Sequence, residues 1–534
     1  MKVYLTLSTA GLLVAGCGGG GDAPTPPPPP PAPTVKLLSA APTRVAAAAA
    51  SGLSFSVTVQ PSVVPTGALY VLASDKAGII QPTVAVNSNG DGSYTFAVDT
   101  VAALTAGHYT GDVTLKLCAD QACATAQTLP PVTVPYDITV LAAGDAWPGN
   151  HLTPLQPWIG IADWGTYQGN SSHTAYVPVT LNPDQFTLRW KSAPLDVVAG
   201  TVSFYGYGTT LTAASGMFYS SGYSKLQASK EFDGSPMWSY DFSSIREPNL
   251  NPPSVADGLV YMAAGTQQNT YMFAFDATSG TLRFKSPMAS QFEHYLAPTI
   301  FAGSAYTNGG TYGGIYGFTA TGETLFFDHL SQTSVWTPAA DANSVYAYTA
   351  DALTIIDRNT GVVTGKIKDP LSSNYLYQIN GSAVLGAPGN VFAANYANVP
   401  LSSGTVGNSL IKFNTLKGSI DWRLNGGYAV TPAYANGSLY APNNNPYRIE
   451  ARSESDGSLS WSWTPPVVTD NTWNGEPIVT KNILFASTNS ATYAIDLTSH
   501  KVVWSYPAAG RLALTQSGIL YIQNFDALVA INVK

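Results

Sequence analysis

Between Asn251 and Met288 the apolar positions run in short alternating stretches broken by turn residues. SVADGLVYMAA predicts two strands around a turn, TYMFAFD an alternating strand, ATSG a second turn, and TLRFKS a closing strand. A unit this small cannot bury both faces of its own sheet, so it requires copies of itself as neighbours. The copies are present. The spacing from Pro253 to Tyr261 recurs from Pro298 to Tyr306, Pro338 to Tyr346, Pro432 to Tyr440 and Pro477 to Phe485. Leu211 to Tyr219, Val384 to Phe392 and Ala513 to Tyr521 keep the aromatic without the proline. These anchors recur about every 43 residues, the period of a four-stranded propeller blade.

Two further signals keep phase with the anchors. A strand and turn follow each aromatic, as in FAFDATSG, IIDRNTG, IKFNTLKG and YAIDLTS. A last strand then carries Trp238, Phe284, Phe327, Trp422, Trp461 or Trp504. The final copy, from Gly510 to Lys534, stops after its third strand LVAIN, and an orphan strand, FTLRWKS, precedes the first copy at Phe186–Ser192. Pairing the orphan with the last copy closes the ring and removes two sheet edges. The predicted fold class is therefore all-β, with an eight-bladed β-propeller closed by an N-terminal strand in the C-terminal blade.

From about Trp164 onward the chain resembles the eight-bladed propellers of the pyrroloquinoline-quinone-repeat class. AFDATSGTLRF, AIDLTSHKVVW and the segment DWGTYQGNSSHTAYVP carry the resemblance. That class includes quinoprotein alcohol dehydrogenases and non-enzymatic lipoproteins such as the propeller subunit of the outer-membrane barrel-assembly machinery. The resemblance specifies fold more than function.

The chain ahead of the ring divides by pattern. Residues 1–17 read as an export signal: Lys2, a short apolar run, then Leu13-Val14-Ala15-Gly16-Cys17. This resembles a bacterial lipoprotein signal with Cys17 as the lipidated residue, and Gly18 behind it accords with the outer membrane. The protein would then be lipid-anchored, on the periplasmic or the cell-surface side. Residues 18–34, GGGGDAPTPPPPPPAPT, form a flexible and then polyproline tether. Residues 35–142 alternate as short, regularly spaced strands and resemble a bacterial immunoglobulin-like β-sandwich that serves as a spacer. Its NSNGDGSY stretch, Asn87–Tyr94, is a hairpin turn that needs no metal. Cys118 and Cys123 flank a short tip between strands, and an oxidising envelope predicts a disulfide between them. Residues 143–534 hold the propeller, with Trp147, Trp158 and Trp164 expected to pack on it.

Composition narrows the function. Only 10% of residues are charged, and the net charge of −8 argues against nucleic acid as partner. G-x-S-x-G, H-E-x-x-H and P-loop motifs are missing. Residues just before the anchor prolines are expected at the mouth of the central channel. They are Asn249, Asn251, His294, Tyr295, Trp336, Tyr428, Trp473, Asn474 and Glu476, an aromatic and amide-rich rim. The resemblance to quinoprotein dehydrogenases implies a Trp platform for the quinone and a calcium held by Glu, Asn and Asp. Trp336 or Trp473 imitates the platform, and Glu476 with Asn474 imitates two ligands. The vicinal cysteine pair of those enzymes is absent, so neither pyrroloquinoline quinone nor calcium is expected. The leading expectation is a membrane-anchored, non-catalytic scaffold for another envelope or surface protein. The alternatives are an assembly factor for outer-membrane β-barrel proteins, a glycan-binding protein, and a quinone- and calcium-dependent dehydrogenase.

Overall fold

The computed structural model describes residues 32–40, 43–47, 54–65, 67–101, 104–105, 107–124, 129–141, 152–193, 195, 211–245, 249–266, 269–291, 295–349, 351–371, 378–400, 406–428, 430–467, 469–524 and 527–534. Cys17, the signal, most of the tether, Trp147 and His294 lie outside these residues, as does the side chain of Asn249. Among the described residues the only helical turns are Tyr167–Gly169 and Pro183–Gln185; the rest of the regular structure is strand.

The N-terminal β-domain has β1 (Val35–Ala40), β2 (Thr43–Ala47), β3 (Ser54–Pro61), β4 (Tyr70–Asp75), β5 (Thr83–Ser88), β6 (Tyr94–Asp99), β7 (Gly107–Cys118) and β8 (Val132–Leu141). Their order is β1-β3-β6-β5-β4-β7-β8-β2. Antiparallel pairs run throughout except where β2 lies parallel to β8. Alternation builds the core: Val113, Leu115 and Leu117 face in beside Phe55, Val57, Phe96, Val98 and Ile138. Cys118 ends β7 and is joined to Cys123 by a disulfide, with their Cα atoms 5.1 Å apart.

The propeller blades span 212–241, 249–288, 299–328, 339–368, 384–426, 433–463, 478–506 and 511–532. Blade 8 takes its outer strand from β9 (Thr187–Ser192), which pairs antiparallel with Leu528–Asn532. This is the closure that the orphan strand predicts. Arg189 of β9 is 1% exposed. Its guanidinium donates to Phe232 O in blade 1, Asn532 Oδ1 in blade 8 and Thr153 O. One buried cation therefore ties both sides of the seam.

The anchor aromatics sit on the second strands and are buried, apart from the partly exposed Tyr346. The uniform anchor spacing hides a register change. Tyr261, Tyr306, Tyr346, Tyr440 and Phe485 each pair with the residue after the anchor proline. In blades 5 and 8 Phe392 pairs with Val384 and Tyr521 with Ala513, so those first turns are one residue longer.

Two kinds of turn share one face of the ring. First-to-second-strand turns such as Asp257-Gly258 and Asn436-Gly437 have both residues left-handed, the conformation a two-residue hairpin needs. In third-to-fourth-strand turns an Asp caps the bend: Asp276 Oδ1 accepts from the Thr278 and Ser279 amides, and Asp357 and Asp496 do the same. We call this the turn face. The opposite loop face carries the remaining connections.

Blades are joined by aromatic side chains lying on their neighbour's turn glycine. Trp190, Trp238 and Trp422 each donate their indole N–H to a carbonyl of the next blade, at Glu231, Ala277 and Glu454. A Cβ on Gly280 would lie 2.6 Å from the Trp238 ring, and its φ is +70°. Gly280→Ala is expected to cost roughly 1–3 kcal/mol through overpacking and strain. Gly418 has similar φ with open space above it. Gly418→Ala therefore reads the backbone part alone, and urea midpoints of the two variants should differ by the Trp238 contact.

Candidate functional site

The axis of the ring is occupied by the chain's own segment, residues 158–181. Trp158 N donates to Gln516 O of blade 8. The segment then circles the channel. Trp164 O accepts from Ala213 N in blade 1 and Gly165 O from Val255 N in blade 2. Thr166 Oγ1 donates to Pro298 O beside blade 3. Ser171 O, Ser172 O, Thr174 O and Ala175 O accept from Ala340, Leu385, Tyr434 and Val479 amides in blades 4 to 7. One stretch of chain thus meets every blade, next to the first turns on the turn face.

Local sequence permits this path. A Cβ on Gly165 would sit 2.5 Å from Val255 O, so only glycine fits. Asn170 Oδ1 accepts from the amides of Ser172 and Thr174 and so folds the tip. Gln168, His173 and Ala175 are left-handed non-glycine residues, a geometry held by the surrounding contacts rather than by local preference.

The tip drops Tyr167 and His173 into the channel, with their rings edge-to-face at 5.3 Å. His173 is fully buried. Its Nδ1 faces Ser382 Oγ and, at 3.1 Å, the Ala383 carbonyl. A carbonyl only accepts, so Nδ1 carries the proton and Nε2 accepts from Thr299 Oγ1 at 2.8 Å. Burial pushes the imidazole pKa down to about 3. The Tyr167 hydroxyl donates to Glu476 Oε1 at 2.7 Å and accepts from Thr431 Oγ1 at 2.9 Å. Burial, then the Glu476 charge, holds the phenol well above its usual range. Arg511 Nη1 lies 3.2 Å from Glu476 Oε2.

The polar residues lining this knot hold one repeated position. Thr337, Ser382, Thr431, Glu476 and Arg511 each stand two residues before the one paired with the anchor aromatic, in blades 4 to 8. A directed chain runs through them: Ser382 N–H to Thr431 Oγ1, Thr431 hydroxyl to Tyr167, Tyr167 hydroxyl to Glu476. Blades 2 and 3 have Pro252 and Ala297 there, so that part of the wall is apolar. A small cavity of about 20 Å³ lies beside Gln168, Thr212 and Glu476, room for about one water.

The expected rim residues do not gather at one open mouth. Trp336 is 1% exposed and its indole donates to Thr333 O. Tyr428 is buried and donates to Glu450 Oε2 at 2.6 Å. Trp473 is 7% exposed and stacks on Tyr447 at 4.4 Å. Asn251 is buried, bonded to Ala263 O and the Tyr295 amide, and Tyr295 is buried with it. Asn474 donates to Thr488 O. Asn249 enters a short strand paired with Gly265. Of this set only Glu476 joins the axial network. The axial histidine among the described residues is His173; His294 lies outside them. The sequence signal for the network is the residue before the anchor, Glu in EP, which the rim set contains, and Thr in TP, which it does not.

Chemically the knot is closed on itself. Ser382 beside His173 has the composition of a nucleophile and base, but Nδ1 faces the Ala383 carbonyl and Nε2 meets a hydroxyl rather than a carboxylate. The residues do not fit a quinone and calcium either. Neither Trp336 nor Trp473 offers an open platform, and both Glu476 oxygens are engaged by Tyr167 and Arg511. Among the described residues no group of three His, Cys, Asp or Glu is placed to hold a metal.

Eight blades, tryptophans on the next blade's turn glycines and capped D-x-x-[ST] turns define a β-propeller of the pyrroloquinoline-quinone-repeat type. The family model described as outer membrane protein assembly factor BamB matches residues 173–463 and 380–531, more than half of the chain. The chain belongs to that family. No curated protein matches it significantly. Among solved structures it is similar to the Neurospora crassa Pan2 WD40 domain, at 9% identity and TM-score 0.36, over 54% of this chain and 88% of that one. It is also similar to KlHsv2 with loop 6CD replaced by a Gly-Ser linker, at 8% identity and TM-score 0.37, over 54% and 93%. A protein of unknown function from Bacteroides caccae matches at 13% identity and TM-score 0.29, over 39% and 78%. Likenesses this distant carry no functional argument.

Proposed function

We propose that the protein is a non-catalytic scaffold of the cell envelope, held at the outer membrane through lipid on Cys17 and binding another envelope protein through its propeller. The observation that supports this is the axial segment. The channel where a propeller enzyme would seat a prosthetic group is filled by Tyr167 and His173, whose polar atoms are bonded to the wall. The protein then works without quinone or calcium. Among the described residues no helix is long and apolar enough to cross a membrane. An assembly role for outer-membrane β-barrel proteins is the second reading, favoured by the family match over most of the ring.

The test is a pull-down of the full tagged protein from envelope extracts, with the same sample scanned for quinone absorbance and calcium. A defined partner without chromophore is the expected result, and recovery of barrel-assembly components selects the second reading. Stoichiometric quinone with calcium sinks both.

A further inference from the structure

We propose that Lys501 latches the N-terminal β-domain onto blade 7, making that domain a fixed part of the propeller rather than a free spacer on the tether. This goes beyond the scaffold reading and does not depend on it.

The receiving half is the hairpin between β5 and β6. Gly90 and Gly92 are left-handed, and Asp91 Oδ1 accepts from the amide and hydroxyl of Ser93. Asn89 Nδ2 donates to Ser93 Oγ and to Thr95 Oγ1. The turn therefore gathers its oxygens on one side, as a cation-binding loop does. The cation it receives is an ammonium. Lys501 Nζ lies 2.6 Å from Ser93 Oγ and 3.4 Å from Asp91 Oδ2. Lys501 is only 8% exposed and Ser93 is fully buried, and lysine is almost never buried without partners.

The donating half is a departure from the repeat at two successive positions. Blades 1 to 6 have glycine in the third-to-fourth-strand turn, followed by Ser235, Thr281, Glu323, Val362, Ser419 and Ser458. Blade 7 has His500 and then Lys501. His500 adopts the glycine conformation, φ +58°, although it has a side chain. Its ring stacks on Trp461 of blade 6 at 4.4 Å, and this pins the turn from behind. The next side chain is then aimed outward at the β-domain. A non-glycine residue at strained φ next to a buried lysine is a costly arrangement for an ordinary turn. Docking a second domain gives it a reason. β1 also approaches the outer strand of blade 7, Val502–Tyr506, so the latch sits within a wider contact.

The test uses the full mature chain with spin labels at Lys116→Cys in β7 and Leu416→Cys in blade 5, both exposed sites away from the joint. The parent should give one narrow distance distribution. Lys501→Met should broaden it severalfold, while Lys501→Arg keeps it narrow. A melting curve of each variant checks that both domains remain folded. A narrow, parent-like distribution in Lys501→Met overturns the latch. The measurement needs no partner, so loss of the latch leaves the scaffold reading standing, and a chain that captures no partner leaves the latch standing.

Discussion

Removal of residues 525–534 is expected to abolish the folded propeller, not to shorten it. The deleted strand, Leu528–Asn532, is the third strand of blade 8, between its own second strand and β9. Its side chains are buried. Without it β9 has no partner, Arg189 loses the Asn532 carboxamide, and Trp190 loses its packing against the last blade. Two edges open, and unpaired edges recruit other chains. The variant should be recovered as aggregate or as a species without a cooperative melt. A soluble product with the parent's sharp thermal transition would show that the seam is dispensable. Arg189→Ala tests the same seam more gently, because it removes the buried cation and leaves the oxygens of Phe232, Asn532 and Thr153 without their donor while every strand stays in place.

Acid stability should depend on two buried groups that act in opposite directions. His173 titrates near 6.5 when unfolded and, because it is buried, only at about 3 when folded. Below pH 6.5 the unfolded chain binds the extra proton, so stability falls as pH falls. Glu231 behaves inversely. Burial raises its carboxyl from 4.5 to about 7, so folding takes up a proton between those values and stability rises as pH falls. Between about pH 6.5 and 4.5 the two slopes oppose each other, so the contributions of this pair largely cancel. Below 4.5 His173 acts against the fold without that offset. Glu231→Gln should remove that cancellation and make the profile steeper than the parent's by up to about 1.4 kcal/mol per pH unit between about pH 7 and 4.5. His173→Gln should do the reverse and gain stability relative to the parent as pH falls. Urea titrations of the three proteins at half-unit pH steps read this directly. A His173→Gln profile parallel to the parent's would mean that the imidazole is not held neutral at the axis.

The ring was legible in the sequence because its information is periodic. Each anchor aromatic repeats a local pattern, and the missing fourth strand at one end matched the orphan strand at the other. Asp276, Asp357 and Asp496 carry their turn chemistry in the sequence as D-x-x-[ST]. The register change in blades 5 and 8 is invisible in the sequence because neither blade has the proline: the equivalent positions are Ala383 and Leu512, one residue before Val384 and Ala513. The axial segment was legible only as part of a resemblance. Residues 163–178 have no period, and their partners come from blades scattered over the next three hundred positions or so. The expected rim joined aromatics to amides and Glu476; of these Glu476 reaches the channel, whereas Trp336, Tyr428 and Trp473 are buried beside the blades. The channel instead uses small polar side chains such as Thr337, Ser382 and Thr431. In a chain this rich in Ser and Thr, only three-dimensional convergence distinguishes them from any other strand residue.

The order in which the seam is made has a kinetic consequence. β9 emerges well before its partner Leu528–Asn532, the last strand among the described residues. The axial segment likewise waits for blades 1 to 8 before all its carbonyls are matched. Blades can form one by one as local hairpins, yet closure must span the longest loop in the domain, and contacts of that range form slowly. Until Leu528–Asn532 has left the ribosome, β9 is an exposed template. Slowing translation should therefore increase aggregation of this protein more than it does for a chain of equal size with local contacts.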